Sequence, residues 1–113
     1  MGAKVWLLTA PHAMLLDRYR GGANLTESSR RVYDLNSIGS FAELADIHER
    51  YAAATREVAA QEGVPLIDME RVYRQHHTEE LFTNRDVVHP NQLGNFLEAQ
   101  VLFDKLLAAG LVR

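Results

Sequence analysis

Two hydrophobic rhythms alternate along the chain. Lys4-Val5-Trp6-Leu7-Leu8-Thr9 is a short, nearly continuous apolar run of strand formers that stops at Pro11. Such a run predicts a strand covered on both faces, as in a parallel sheet. Residues 10–40 carry no periodicity, and Gly21-Gly22 with the polar run Asn24 to Arg31 predict a long loop. Ser40-Phe41-Ala42-Glu43 fits a capping box with Ser40 as N-cap, so a helix is expected from there to about Glu62. Phe41, Leu44, His48, Tyr51, Thr55 and Val58 recur at helical spacing and are expected to face inward. Glu43, Asp46, Glu49, Arg50, Arg56 and Glu57 are expected on the wet face, and Gly63 as the stop.

Val64-Pro65-Leu66-Ile67-Asp68 predicts a second strand, with Pro65 at its start. Asp68 is expected to cap a short helix through Met69 to about His76. Leu81 to Pro90 reads as a loop. A last helix is expected from near Asn91 to about Ala109, with Phe96, Ala99, Phe103, Leu106 and Leu107 on one face. Strands alternating with helices argue for an α/β fold with a parallel sheet. Two strands make a very small sheet, and the edge of the first strand calls for a cover.

Composition narrows the classes. The 113 residues suit one domain, with 47% hydrophobic and 24% charged residues, which argues against disorder. A net charge of −3 implies no surface for nucleic acid. The absence of cysteine excludes disulfides, thiolate catalysis and Cys-based zinc sites. Met1 to Thr9 lacks the features of a signal peptide, and no stretch reaches the roughly 18 apolar residues that span a bilayer. A cytoplasmic protein without a membrane span is the expectation.

The chemistry gathers in Asn84-Arg85-Asp86-Val87-Val88-His89-Pro90-Asn91-Gln92-Leu93-Gly94. An Asp three residues before a His can fold back and accept a hydrogen bond from one imidazole nitrogen. That fixes the tautomer and raises the basicity of the other nitrogen, as the acid does in a Ser-His-Asp triad. Taken alone, Asp-x-x-His fits better a turn Asp and a helix-entry His that satisfy each other. Pro90 shapes the exit, Asn91 can cap the next helix, and Gly94 allows close backbone packing.

Asp86-Val87-Val88-His89-Pro90-Asn91, with Gly94 and the helix after it, resembles the C-terminal block of the SGNH (GDSL-type) ester hydrolases. Lys4 to Pro11 resembles the strand that follows that family's Asn block. Ser40 to Gly63 resembles its next helix, and Val64 to Asp68 its last strand. The resemblance covers nearly all of the chain but only about the C-terminal half of the family's pattern. It implies a partial flavodoxin-like three-layer α/β fold with a short parallel sheet. It implies Asp86 and His89 as acid and base of a lipase-, esterase- or acetylesterase-type hydrolase, with no cofactor and no metal. The Gly-Asp-Ser block with the nucleophile, the oxyanion-hole glycine block and the Gly-x-Asn-Asp-type block have no counterpart here. None of Ser28, Ser29, Ser37 and Ser40 follows an apolar strand and opens a helix as an exposed nucleophile should.

The expectation is therefore half of a hydrolase, completed through the strand at residues 4–9 by another chain or by self-association. The rivals are a non-catalytic homo-oligomeric remnant and a small-ligand or metal-binding module. For the last, His76 and His77 with His89 and Asp86 are conceivable zinc ligands, although helix-end histidines favoured by the dipole are the simpler account. His12 ends strand one at the edge where open α/β sheets gather their sites, yet it also fits an ordinary loop. His48 is expected as a satisfied core or interface histidine and Trp6 as core. Arg18, Arg20, Arg30 and Arg31 form either a patch for an acidic substrate or a solvated loop.

Overall fold

The fold rests on a computed structural model that describes residues 4–14, 41–76, 80–83 and 86–113. Ser40, the four arginines of the 10–40 stretch, the candidate serines and His77 lie outside these residues, so the Ser40 cap and the long loop are not described.

The element order among the described residues is β1 (Leu7–Leu8), α1 (Phe41–Glu62), β2 (Leu66–Ile67), α2 (Met69–Gln75) and α3 (Gln92–Ala108). β1 and β2 pair in parallel, with Leu7 opposite Leu66 and Leu8 opposite Ile67. The Leu7 N–H donates to the Pro65 carbonyl at 3.0 Å and the Thr9 N–H to that of Ile67 at 3.2 Å. A parallel pair needs a long crossover, and α1 is its helical part. The chain is thus mixed α/β, with three helices and a two-stranded parallel sheet among the described residues. No helix among them is long and apolar enough to cross a membrane.

The helix ends follow from their residues. Gly63 takes a positive φ of 62°, and the Val64 N–H reaches back to the Ala59 carbonyl at 2.9 Å. That closes α1 in the left-handed manner glycine permits. Asp68 caps α2 by accepting from the Arg71 N–H, and Asn91 caps α3 by accepting from that of Gly94 at 3.0 Å.

The inward face of α1 differs from the expected one. Ala45, Ala52 and Ala59, one every seven residues, are its buried positions. Tyr51 and Val58, expected inside, are exposed. Small side chains let the helix axis approach its neighbours, and the larger ones are turned outward. Glu49 and Arg56, expected wet, turn toward ion-pair partners instead. β1 is not covered on both faces either, since Val5 and Leu8 stay exposed while Trp6 packs against the core. α3 carries Phe96, Phe103 and Leu107 on its outer side and packs inward through Leu97, Val101 and Leu102.

The core joins Ile67, Met69 and Tyr73 to Leu81, Phe82 and Val87. Tyr73 is the link between α2 and α3. Its ring lies tilted against Phe82 at 5.3 Å, and its hydroxyl donates to Glu98 at 2.8 Å. Burial and this acceptor push the Tyr73 phenol well above its ordinary range.

Gly94 marks the closest approach. A Cβ there would stand 2.3 Å from the Leu81 carbonyl oxygen and 2.8 Å from both the Pro90 Cβ and the Tyr73 hydroxyl. Two of these three neighbours are backbone or a rigid ring, so they cannot step aside. Gly94→Ala is expected to destabilise the chain by roughly 2–4 kcal/mol despite the better helix propensity of alanine. Urea denaturation checks this, and a midpoint equal to that of the unaltered chain contradicts the packing.

Candidate active site

The turn at 86–89 is held from both ends. Residues 81–83 run antiparallel to 89–91, with Phe82 bridging Pro90, the Asn91 N–H on the Leu81 carbonyl at 2.9 Å and the Thr83 N–H on that of His89 at 3.3 Å. Asn91 adds a clamp, donating its amide to the carbonyls of Glu80 at 2.6 Å and Phe82 at 3.1 Å while its oxygen caps α3. Val87 is fully buried and anchors the turn in the core. From the other side, the Ala13 N–H donates to the Val87 carbonyl at 2.8 Å. The segment leaving β1 is thereby pinned to the turn, at the C-terminal end of the parallel strands.

Asp86 and His89 are in contact. Asp86 Oδ1 accepts the N–H groups of Val88 at 2.8 Å and His89 at 2.9 Å, and Oδ2 lies 2.8 Å from His89 Nδ1. Burial pushes the Asp86 carboxyl up, but the Val88 N–H, the imidazole and the His89 N–H outweigh it and hold the group below its ordinary value. An ionised carboxylate only accepts, so the proton of the neutral imidazole sits on Nδ1. Nε2 is then the basic nitrogen, on a side chain that is 76% exposed. The arrangement holds the ring in place and leaves Nε2 on its exposed side.

A second polar cluster, which the residue pattern does not reveal, joins the exits of both strands to α1 and α2. Thr9 is buried, donates to Asp68 Oδ1 at 2.7 Å and accepts the Glu70 N–H at 3.0 Å. Arg56 grips Asp68 with two hydrogen bonds, at 2.7 and 2.8 Å, and reaches Glu70 as well. Its hydrogen bonds, with burial opposing and Thr9 assisting, hold the Asp68 carboxyl down at about 2. Glu70 is buried, and Arg74 pairs with its other oxygen while also meeting Glu49. The sequence places these groups on four elements without any recurring spacing. Only Asp68, as an N-cap, and Glu70 with Arg74, four apart on α2, carry a local signal.

His12 belongs to this cluster rather than to the Asp86–His89 turn. Its side chain is 4% exposed, its Nδ1 accepts the Met14 N–H at 3.3 Å, and its Nε2 faces Glu49 at 3.4 Å. Its ring lies 4.7 Å from that of His48, whose buried Nδ1 has no hydrogen-bond partner among the described residues. Among those residues His48 is therefore not the satisfied histidine that its place on α1 suggests. His76 ends α2 and is exposed. Among the described residues no three His, Asp or Glu side chains converge as a metal site.

No family model matches the chain, nor does any curated protein or solved structure.

Burial, then the neighbouring His48 and Arg74, outweigh Glu70 and lower the His12 imidazole from 6.5 to about 4. His48 is lowered too, chiefly by burial. The unfolded chain therefore binds a proton at His12 near pH 6.5 where the folded chain does not. Stability from this group is complete above pH 6.5 and declines as the pH falls to about 4. For His12 the loss reaches about 3 kcal/mol. Denaturation midpoints at neutral pH and at pH 4 measure it, and His12→Phe is expected to remove most of the slope. A midpoint that stays level over this interval contradicts the burial of His12.

Proposed function

We propose that the chain is the C-terminal half of an ester hydrolase of the SGNH (GDSL) type, with Asp86 and His89 as the acid and base of a Ser-His-Asp triad. The single observation that carries this reading is the 2.8 Å contact between Asp86 Oδ2 and His89 Nδ1, which leaves Nε2 basic on an exposed ring. The clamp by Asn91 and the forced glycine at 94 support it, because they hold the histidine's backbone in place, as a catalytic base requires. The order of strand, helix, strand and Asp-x-x-His turn also agrees with that family's C-terminal pattern, and a short parallel sheet fits part of a flavodoxin-like fold.

In this reading a complementing segment supplies the serine and the oxyanion donors. It adds a strand to the edge of β1 that no other strand pairs with among the described residues, where the Trp6 and Leu8 amides lie on the side away from β2. His89 Nε2 takes the serine hydroxyl proton as the oxygen attacks the ester carbonyl. Asp86 stabilises the imidazolium. The proton then passes to the departing alcohol oxygen as the C–O bond breaks, leaving an acyl-serine. Water, deprotonated by the same nitrogen, releases the acid and restores the serine. Acyl and acetyl esters are the substrate class.

The chain alone is expected to hydrolyse p-nitrophenyl acetate no faster than its His89→Ala variant. Mixed with a segment that carries a Gly-Asp-Ser block, it is expected to become active. In that complex His89→Ala should cost on the order of 10⁴- to 10⁶-fold in rate, and Asp86→Asn on the order of 10⁴-fold. Activity of the complex that survives His89→Ala overturns the assignment.

A further inference from the structure

Residues 12–14 form a short turn that a side chain closes. The His12 imidazole, 4% exposed, accepts the Met14 N–H on Nδ1 at 3.3 Å. Met14 is buried, and so is Ala13 between them, whose N–H donates to the Val87 carbonyl at 2.8 Å. One ring nitrogen therefore shapes the segment that pins the turn at 86–89. That nitrogen accepts only while it is bare, so the neutral ring carries its proton on Nε2, which faces Glu49 at 3.4 Å.

A second proton has one place to go, which is Nδ1. There it turns the acceptor into a donor aimed at the Met14 N–H, and the turn loses the bond that closes it. Among the described residues the surroundings do not compensate. The His48 ring of α1 lies 4.7 Å away, with its own buried Nδ1 unpartnered. Glu49 of α1 is already shared with Arg74 of α2, and Glu70 of α2 is held by Arg56 and Arg74. A buried cation with opposed donors is relieved by moving out to water. The strand exit beside it does not follow. Thr9 is bound to Asp68 and to the Glu70 N–H, and Asp68, held down at about 2, stays ionised where His12 gives way.

We propose that His12 is an acid-operated latch, whose protonation opens the 12–14 turn and releases the Ala13 N–H from the Val87 carbonyl, unpinning the Asp86–His89 turn while the paired strands and the helices stay folded. The latch belongs to the two turns themselves and holds whether or not His89 serves as a base. It is a local opening, distinct from unfolding of the whole chain.

Residue-by-residue amide hydrogen exchange tests it. Burial lowers the His12 imidazole from 6.5 to about 4 in the closed turn, and the opened ring regains its ordinary value. Protection of the Ala13 and Met14 amides is therefore expected to fall about tenfold per pH unit from 6.5 down to about 4. At each pH it is expected to lie at least about tenfold below that of Leu7 in β1 and Ala52 in α1, which open only with the whole chain. The Val87 carbonyl carbon shift is expected to move over the same interval. His12→Asn keeps a side-chain acceptor for the amide two residues on and does not titrate, so its protection and its Val87 shift are expected to stay level. His12→Phe, without the acceptor, is expected to show low protection at every pH. Level protection of Ala13 and Met14 in the unaltered chain overturns the latch. So does protection equal to that of Leu7 and Ala52, a slope that survives in His12→Asn, or a Val87 shift indifferent to pH.

Discussion

One carboxylate organises the turn at residues 86–89. Asp86 uses one oxygen to take the N–H groups of Val88 and His89 and the other to take the imidazole of His89. The first pair of bonds folds the turn, and the third orients the ring within it. Turn geometry and tautomer are therefore set by the same group, and neither can change without the other. The burial of Val87 and its bond from Ala13 make this turn part of the core rather than a surface excursion. Removing the carboxylate would leave two turn amides and a ring nitrogen without their acceptor.

Local chemistry was legible in the sequence wherever a residue acts on its immediate neighbours. Asp68, Asn91 and Gly63 each do at their helix ends what their residue type dictates, and the helix bounds follow, whereas the strands are two residues each, shorter than the runs at 4–9 and 64–68. The Asp86–His89 contact spans three residues and was legible for the same reason. Gly94 was recognisable as a close approach, although its neighbours at Leu81, Pro90 and Tyr73 were not. What the sequence did not reveal depends on contacts between distant segments. The inward face of α1 was misread because large residues mark the core in most helices. Here the helix lies close to its neighbours, alanines fit, and Tyr51 and Val58 point out. The cluster of Thr9, Arg56, Asp68 and Glu70 joins positions up to 61 residues apart, and no periodicity encodes that.

The two clusters divide the labour of the sheet's C-terminal end. The ion pairs around Glu70 lock the strand exits to α1 and α2, and the Asp86–His89 turn is laid on the segment thus fixed through Ala13. Breaking one partner of a buried carboxylate leaves a charge without compensation, which costs several kcal/mol. The lock is thus strong in its middle and acid-sensitive at His12 and His48, where burial disfavours the proton. Exposed apolar residues on β1 and α3 contrast with this rigid centre. Among the described residues no strand pairs with the outer edge of β1, and Phe96, Phe103 and Leu107 of α3 stay exposed.

The orientation of the His89 ring is the central claim, and imidazole nitrogen shifts of the labelled chain test it most directly. In the neutral ring the account predicts the proton on Nδ1 and a bare Nε2, and Asp86→Asn is predicted to abolish that preference. A ring protonated at Nε2, or one with the tautomer mixture of free imidazole in the unaltered chain, would contradict the account.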